Sequence, residues 1–249
     1  MQKIWIIGKR EFMSYFSSPI AYIAITVFLV LTGLQFFFGW LTIDPYASAT
    51  DYFEANEASL RVLFEGVPLL FVVFLPAITM RLMSDEKRSG TMELLITLPV
   101  RDHEVILGKF LAALMFLIVA LALTLPYVVT VYMLGNPDTG PIIGGYFGLL
   151  LVGACYCAIG LMTSTWTKNQ IVAFLLGVLI CAGFYFVDTL IGAAWESTRE
   201  TLHLISFKYH FQNISRGIID SRDLVFFLSL IVLAVLLSTY SLQSRKWKA

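Results

Sequence analysis

The chain has 249 residues, 58% of them apolar and 14% charged, with a mean hydropathy of +0.81. A soluble domain averages roughly 45–50% apolar and about 25% charged residues, so one globular core of this length could not hide so much apolar surface. Seventeen Lys and Arg balance seventeen Asp and Glu, which excludes the broad basic field of a nucleic-acid binder. The long apolar runs define an all-α polytopic membrane protein, a single transmembrane domain over residues 1–249.

Residues 3–17 read as a helix that does not cross. Lys3, Arg10, Ser14 and Ser17 fall on one face, with Trp5, Phe12 and Phe16 opposite. Pro19 ends it, and the pattern suits a helix in the headgroup plane. The first span covers 20–41. The acidic loop behind it carries Asp44, Asp51, Glu54 and Glu57, with a short helix expected from Asp51. The second span covers 62–82.

The stretch from Ser84 to Lys109 is the most informative one. Gly90 breaks the chain, and Thr91 can cap a helix of about two turns in which Met92, Leu95 and Ile96 form an apolar stripe beside Glu93 and Leu94. Leu98 closes it, Pro99 stops it, and Asp102 is expected to cap the next helix. Such a helix either packs under its own bundle or inserts into a partner's groove. The remaining spans cover 110–134, 143–163, 171–191 and 224–242. Gly144 and Gly148 in the fourth offer a small-x-x-x-small face for a subunit interface. Before the last span, Phe207, Phe211, Ile214 and Ile218 recur at i, i+4, i+7, i+11, with His203 and His210 seven apart. That spacing predicts one amphipathic helix dipping into the outer leaflet, followed by a cap at Asp220–Asp223.

Orientation follows from the basic residues. Twelve Lys and Arg lie in the segments on one side and five on the other, which predicts cytoplasmic termini. Trp5, Trp40, Trp166, Trp195 and Trp247 fall near predicted interfaces. Cys155, Cys157 and Cys181 sit inside apolar runs and read as small buried side chains. Glu65, Arg81 and Asp188 lie near span ends, so no span carries the mid-membrane charge that marks an ion path. No polar set within the spans pairs a nucleophile with a base, which argues against an intramembrane enzyme.

The stretch Glu86-Lys-Arg-x-Gly90-Thr91-x-Glu93-Leu94-Leu95-x-x-Leu98-Pro99, followed by Glu104-x-x-x-Gly108-Lys109, resembles the first cytoplasmic loop of type-2 ABC transporter permeases. The six spans, the amphipathic start and the long loop before the last span are similar to that family's layout over nearly the whole chain. The run Lys9–Tyr22 and the late Tyr209-His-Phe211 with Gly217-Ile-Ile-Asp220 resemble more narrowly the gliding-motility permeases of the GldF kind.

The resemblance implies a multi-pass cell (inner) membrane subunit of an ATP-driven exporter. It would pair with itself or a related permease and dock on two separate ATPase chains that carry ATP and Mg²⁺. The helix around Gly90–Leu98 would couple to the ATPase, with the N-terminal helix (Trp5, Arg10, Phe12, Phe16) flanking that joint. The helix with Phe207, His210, Phe211, Ile214 and Ile218 would form the outer gate. The narrower likeness admits a mechanical transmitter acting on an extracytoplasmic membrane-anchored partner without cargo. The chain has no Gly-x-x-x-x-Gly-Lys-[Ser/Thr] loop: Gly108-Lys109 has His103 at the first glycine position and Phe110 next. ATP hydrolysis by that route is therefore expected elsewhere, and no cofactor is expected on this chain.

Overall fold

The computed structural model describes residues 2–41, 59–91, 101–192 and 204–244, with backbone only for 188–192. The expected helix from Asp51, residues 92–98, His203, Trp195 and Trp247 lie outside them. Among the described residues every regular element is helical. In chain order they are α1 (Gln2–Phe16), α2 (Pro19–Phe38), α3 (Arg61–Thr79), α4 (Arg81–Ser89), α5 (Asp102–Ala122), α6 (Leu125–Leu134), α7 (Thr139–Trp166), α8 (Gln170–Gly192), α9 (Phe207–Ser215) and α10 (Ser221–Gln243). Six segments are long and apolar enough to cross a bilayer, namely α2, α3–α4, α5–α6, α7, α8 and α10. They coincide with the six runs read from the sequence.

The helix starts follow from local chemistry. Pro19 opens α2 behind Ser18, whose hydroxyl accepts from Ile20 N. Asp220 caps α10 by accepting from Arg222 N at 3.0 Å. At α5 the expectation is corrected. Arg101 is the cap position and Asp102 the first helical residue, while Glu104 reaches back to accept from Arg101 N at 2.9 Å.

Two spans are broken where one continuous helix was expected. The third divides between α5 and α6 because Pro126 cannot donate to the preceding turn. Thr124 fills in at the break, its hydroxyl bonding Leu121 O at 2.6 Å and lying 3.0 Å from Tyr146 Oη. The second span kinks at Met80, four residues past Pro76, and runs on into α4.

The core is organised around α7, which packs against α3, α4, α5, α8, α9 and α10. Every residue from Leu151 to Thr165 is buried; a helix apolar all round belongs in the middle of a bundle. Cys155, Cys157 and Cys181 are buried with it, and Cys155 Sγ donates to Phe227 O at 3.3 Å. At the far end of α2, Gln35 bridges to α3. Its amide donates to Val62 O at 2.8 Å and accepts from Leu41 N at 2.9 Å. Gly66 makes room for it, since a Cβ there would lie 2.3 Å from Gln35 Cδ.

Candidate functional site

The segment singled out in the sequence hangs between α4 and α5. Gly90 ends α4 at φ +73°, a left-handed turn that suits a residue with no Cβ. Thr91 follows it, exposed. Met92, Glu93, Leu94, Leu95, Ile96 and Leu98 lie outside the described residues. What the structure defines is the pair of stems from which they depend.

Those stems are tied to one another by a buried cation. Lys109 on α5 is 1% exposed. Its ammonium donates to Leu82 O at 2.6 Å and to Glu86 Oε1 at 2.8 Å, and stands 3.5 Å from Glu11 Oε2. A charge out of water persists only where it is paired and hydrogen-bonded. One side chain therefore joins α5, α4 and α1.

A second set of bonds fixes α4 to the end of α7. Ser164 Oγ accepts from Met83 N and Ser84 N, both at 3.0 Å, and donates to Met80 O at 2.8 Å. Lys87 donates to Thr165 O, and Gln170 donates to Asp85. The Ser164 bonds serve the backbone groups around the kink at Met80, which is why a polar cluster can sit at the mouth of an apolar bundle.

α1 completes the joint by crossing α5 at two facing glycines. A Cβ on Gly8 would stand 3.1 Å from Gly108 O, and one on Gly108 would stand 2.7 Å from Ile7 Cγ2 and 3.2 Å from Ile4 O. Phe12 and Phe16 stack edge to face, and Phe16 and Tyr15 both pack on Phe116 of α5. Trp5, 55% exposed, and Arg10, paired with Glu11 at 3.0 Å, face away from α5. Of the four residues expected on the flanking helix, two thus enter the aromatic cluster and two point outward. Tyr15 Oη is buried without a hydrogen-bond partner among the described residues, and burial pushes its hydroxyl well above its ordinary pKa.

At the opposite end the apolar side of α9 packs against α7. Phe207, His210, Phe211 and Ile214 are all buried. Gly144 and Gly148 form the cradle: a Cβ at Gly144 would meet Ile214 O at 2.3 Å, and one at Gly148 would meet the Phe211 ring at 3.0 Å. The small-residue face read as a subunit interface is therefore occupied within the chain. The helix ends at Ser215, and Gly217 turns at φ +83°. Ile218 lies beyond it, 64% exposed, and does not extend the stripe.

His210 latches α9 to α10. Its Nδ1 lies 2.5 Å from Asp223 Oδ1 and its Nε2 3.0 Å from Leu204 O, with the ring stacked on Phe226 at 4.1 Å. Asp223 and the Leu204 carbonyl thus hold the ring from its two nitrogens. Asp223, expected only as part of a cap, is thus the buried partner of a histidine.

The family described as "ABC-2 family transporter protein" matches residues 5–247. The chain belongs to this family. No curated protein matches it. As an ABC-2 protein it is a multi-pass membrane permease subunit that works with an ABC ATPase.

Within this ABC-2 permease the joint gives four residues of the sequence motif a task. Glu86 and Lys109 form the ion pair, Glu104 caps α5, and Gly108 admits α1. Sequence reasoning missed Glu11 as the third member and Ser164 as the clamp. A signal for Lys109 was present, because an ammonium one turn before a long apolar run demands a carboxylate nearby.

Proposed function

We propose that this ABC-2 permease is the transmembrane half of an ATP-driven exporter, with the α1 end in the cytoplasm. Two copies dock on two ATPase chains, which hold ATP and Mg²⁺, and residues 92–98 are the element that enters the ATPase groove. The observation that carries the reading is the Lys109 joint. Both stems of residues 92–98, together with α1, converge on one buried ammonium. A push delivered to that segment is therefore passed as a unit to α4, α5 and α1 instead of being absorbed at a loose loop. Export suits spans whose described charged side chains lie at their ends, since a coupled ion would need a charged station at mid-membrane.

The test uses Leu95→Asp and Glu93→Ala in the full chain, co-expressed with the neighbouring ATPase. Both variants should insert at wild-type levels yet lose ATPase co-purification. Truncating one partner of a buried interfacial charge pair costs about 2–5 kcal/mol, so Glu93→Ala should weaken capture at least tenfold. Aggregation of Leu95→Asp, with Glu93→Ala behaving as wild type, would assign the segment to internal packing and overturn the coupling role.

A further inference from the structure

A cavity of about 500 Å³ opens between α1, the start of α2, the α3–α4 kink and α5. That size lies within the roughly 300–1,000 Å³ of small-ligand sites. Its two halves differ in chemistry. Ala24, Phe74, Ala77 and Phe116 line one half, inside the apolar runs 20–41, 62–82 and 110–134; Glu11, Arg81 and Glu86 line the other, at or beyond the ends of those runs. The cavity therefore straddles the boundary between hydrocarbon and headgroups. Ile20, at its edge, is 47% exposed.

The polar half has spare valence of both signs. Arg81 is half-buried and makes no ion pair or side-chain hydrogen bond among the described residues. Glu86 gives Oε1 to Lys109, but its Oε2 is buried with no donor among the described residues. Glu11 gives Oε1 to Arg10 at 3.0 Å, while its Oε2 stands 3.5 Å from the same ammonium, which already serves two other acceptors. A guanidinium recognises a phosphate, and a carboxylate with an empty lone pair takes an N–H donor. An anionic headgroup would set its charge against Glu11, Asp85 and Glu86, all on the wall. A quaternary ammonium carries no N–H for Glu86.

We propose that this cavity binds a phospholipid with a phosphate and a primary ammonium in its head, a phosphatidylethanolamine. Its phosphate sits on Arg81, its ammonium on Glu86 and Glu11, and its acyl chains leave past Ala24 and Phe74. The lipid fills the gap between α1 and the α3–α4 kink and so forms part of the joint's packing. This site requires neither an ATPase nor a direction of transport.

The experiment is native mass spectrometry of the purified full chain, delipidated and then offered phosphatidylethanolamine, phosphatidylglycerol or phosphatidylcholine in mixed micelles. One phosphatidylethanolamine per chain should be retained, with at least tenfold preference over the other two. Arg81→Gln should lower retention at least tenfold, and Ala24→Phe, which fills the apolar half, should abolish it. Far-ultraviolet circular dichroism and an unchanged melting point in detergent identify variants that are folded, and Arg81→Gln alone suffices if Ala24→Phe is not. Equal retention of phosphatidylglycerol, retention by folded Arg81→Gln at the wild-type level, no retained lipid at all, or displacement by glycerophosphoethanolamine without chains would each overturn the proposal.

Discussion

Lys109→Met removes the ammonium while keeping the length of the side chain. Three oxygens lose their shared donor: Leu82 O, Glu86 Oε1 and Glu11 Oε2. Breaking a buried ion pair by deleting one partner costs about 3–5 kcal/mol. The Glu86 and Glu11 side chains retain 20% and 17% exposure and Glu11 keeps Arg10 as a partner, so the cost falls at the low end, about 3 kcal/mol. For a chain of this size about 1 kcal/mol moves the melting point by roughly 2–4 °C, giving a drop of about 6–12 °C. The assay is thermal unfolding of the detergent-solubilised protein, with Lys168→Met, an exposed lysine at the same end, as control. Adding Glu86→Gln to Lys109→Met removes the stranded carboxylate and should restore at least about 1 kcal/mol, within the usual range of coupling between contacting residues. Hydrogen exchange in residues 2–16 should rise in the single variant, because Glu11 loses its anchor. A Lys109→Met protein that melts within about 2 °C of wild type, or a double variant no better than the single one, would refute the claim that one cation holds the three helices.

Gly144→Val should dislodge α9, and by more than the roughly 1–3 kcal/mol of ordinary overpacking, because the obstruction is the Ile214 carbonyl and not a movable side chain; faster cleavage by protease within 204–220 is the readout. Gly183→Ala, where a Cβ meets nothing within 4 Å, should leave the fold intact and gain up to about 1 kcal/mol in melting experiments. Asp223→Asn should cost about 1–3 kcal/mol by weakening the buried 2.5 Å hydrogen bond to His210 Nδ1, whereas His210→Phe with Asp223→Leu should cost less than either single change in the same unfolding assay. Single cysteines at Asn136 and Ser89, in a chain lacking Cys155, Cys157 and Cys181, should differ toward an impermeant thiol reagent in intact cells. Asn136 should be labelled and Ser89 protected, and the reverse would invert the orientation drawn from the basic residues.

The spans were legible because each is an apolar run of bilayer length, a property that needs no knowledge of neighbours. Partners were less so. The apolar side of α1 and the stripe on α9 were both visible, but amphipathy does not say whether lipid or protein covers a face. Here Phe116 covers part of α1, and α7 covers Phe211 and Ile214. Gly144 and Gly148 were visible as a close-packing face, yet the sequence could not say that the packed element lay some seventy residues downstream in the same chain. The break at Thr124 had its signal in Pro126, which was outweighed by the unbroken hydropathy around it. Glu11 could not be found at all from spacing, since it meets Lys109 only because two glycines bring α1 onto α5.

The α9 cradle also constrains the order of assembly. α7 leaves the ribosome well before residues 204–215, so its Gly144–Gly148 groove is presented first to lipid or to the insertion machinery. α9 is too short to span a bilayer and cannot be fixed there until Asp223 arrives with α10. The last span is thus the step that locks the α9 end of the bundle. A chain truncated before α10 should keep its earlier spans yet leave the α9 segment open to quality-control proteases, so that incomplete copies are marked for removal at the membrane surface.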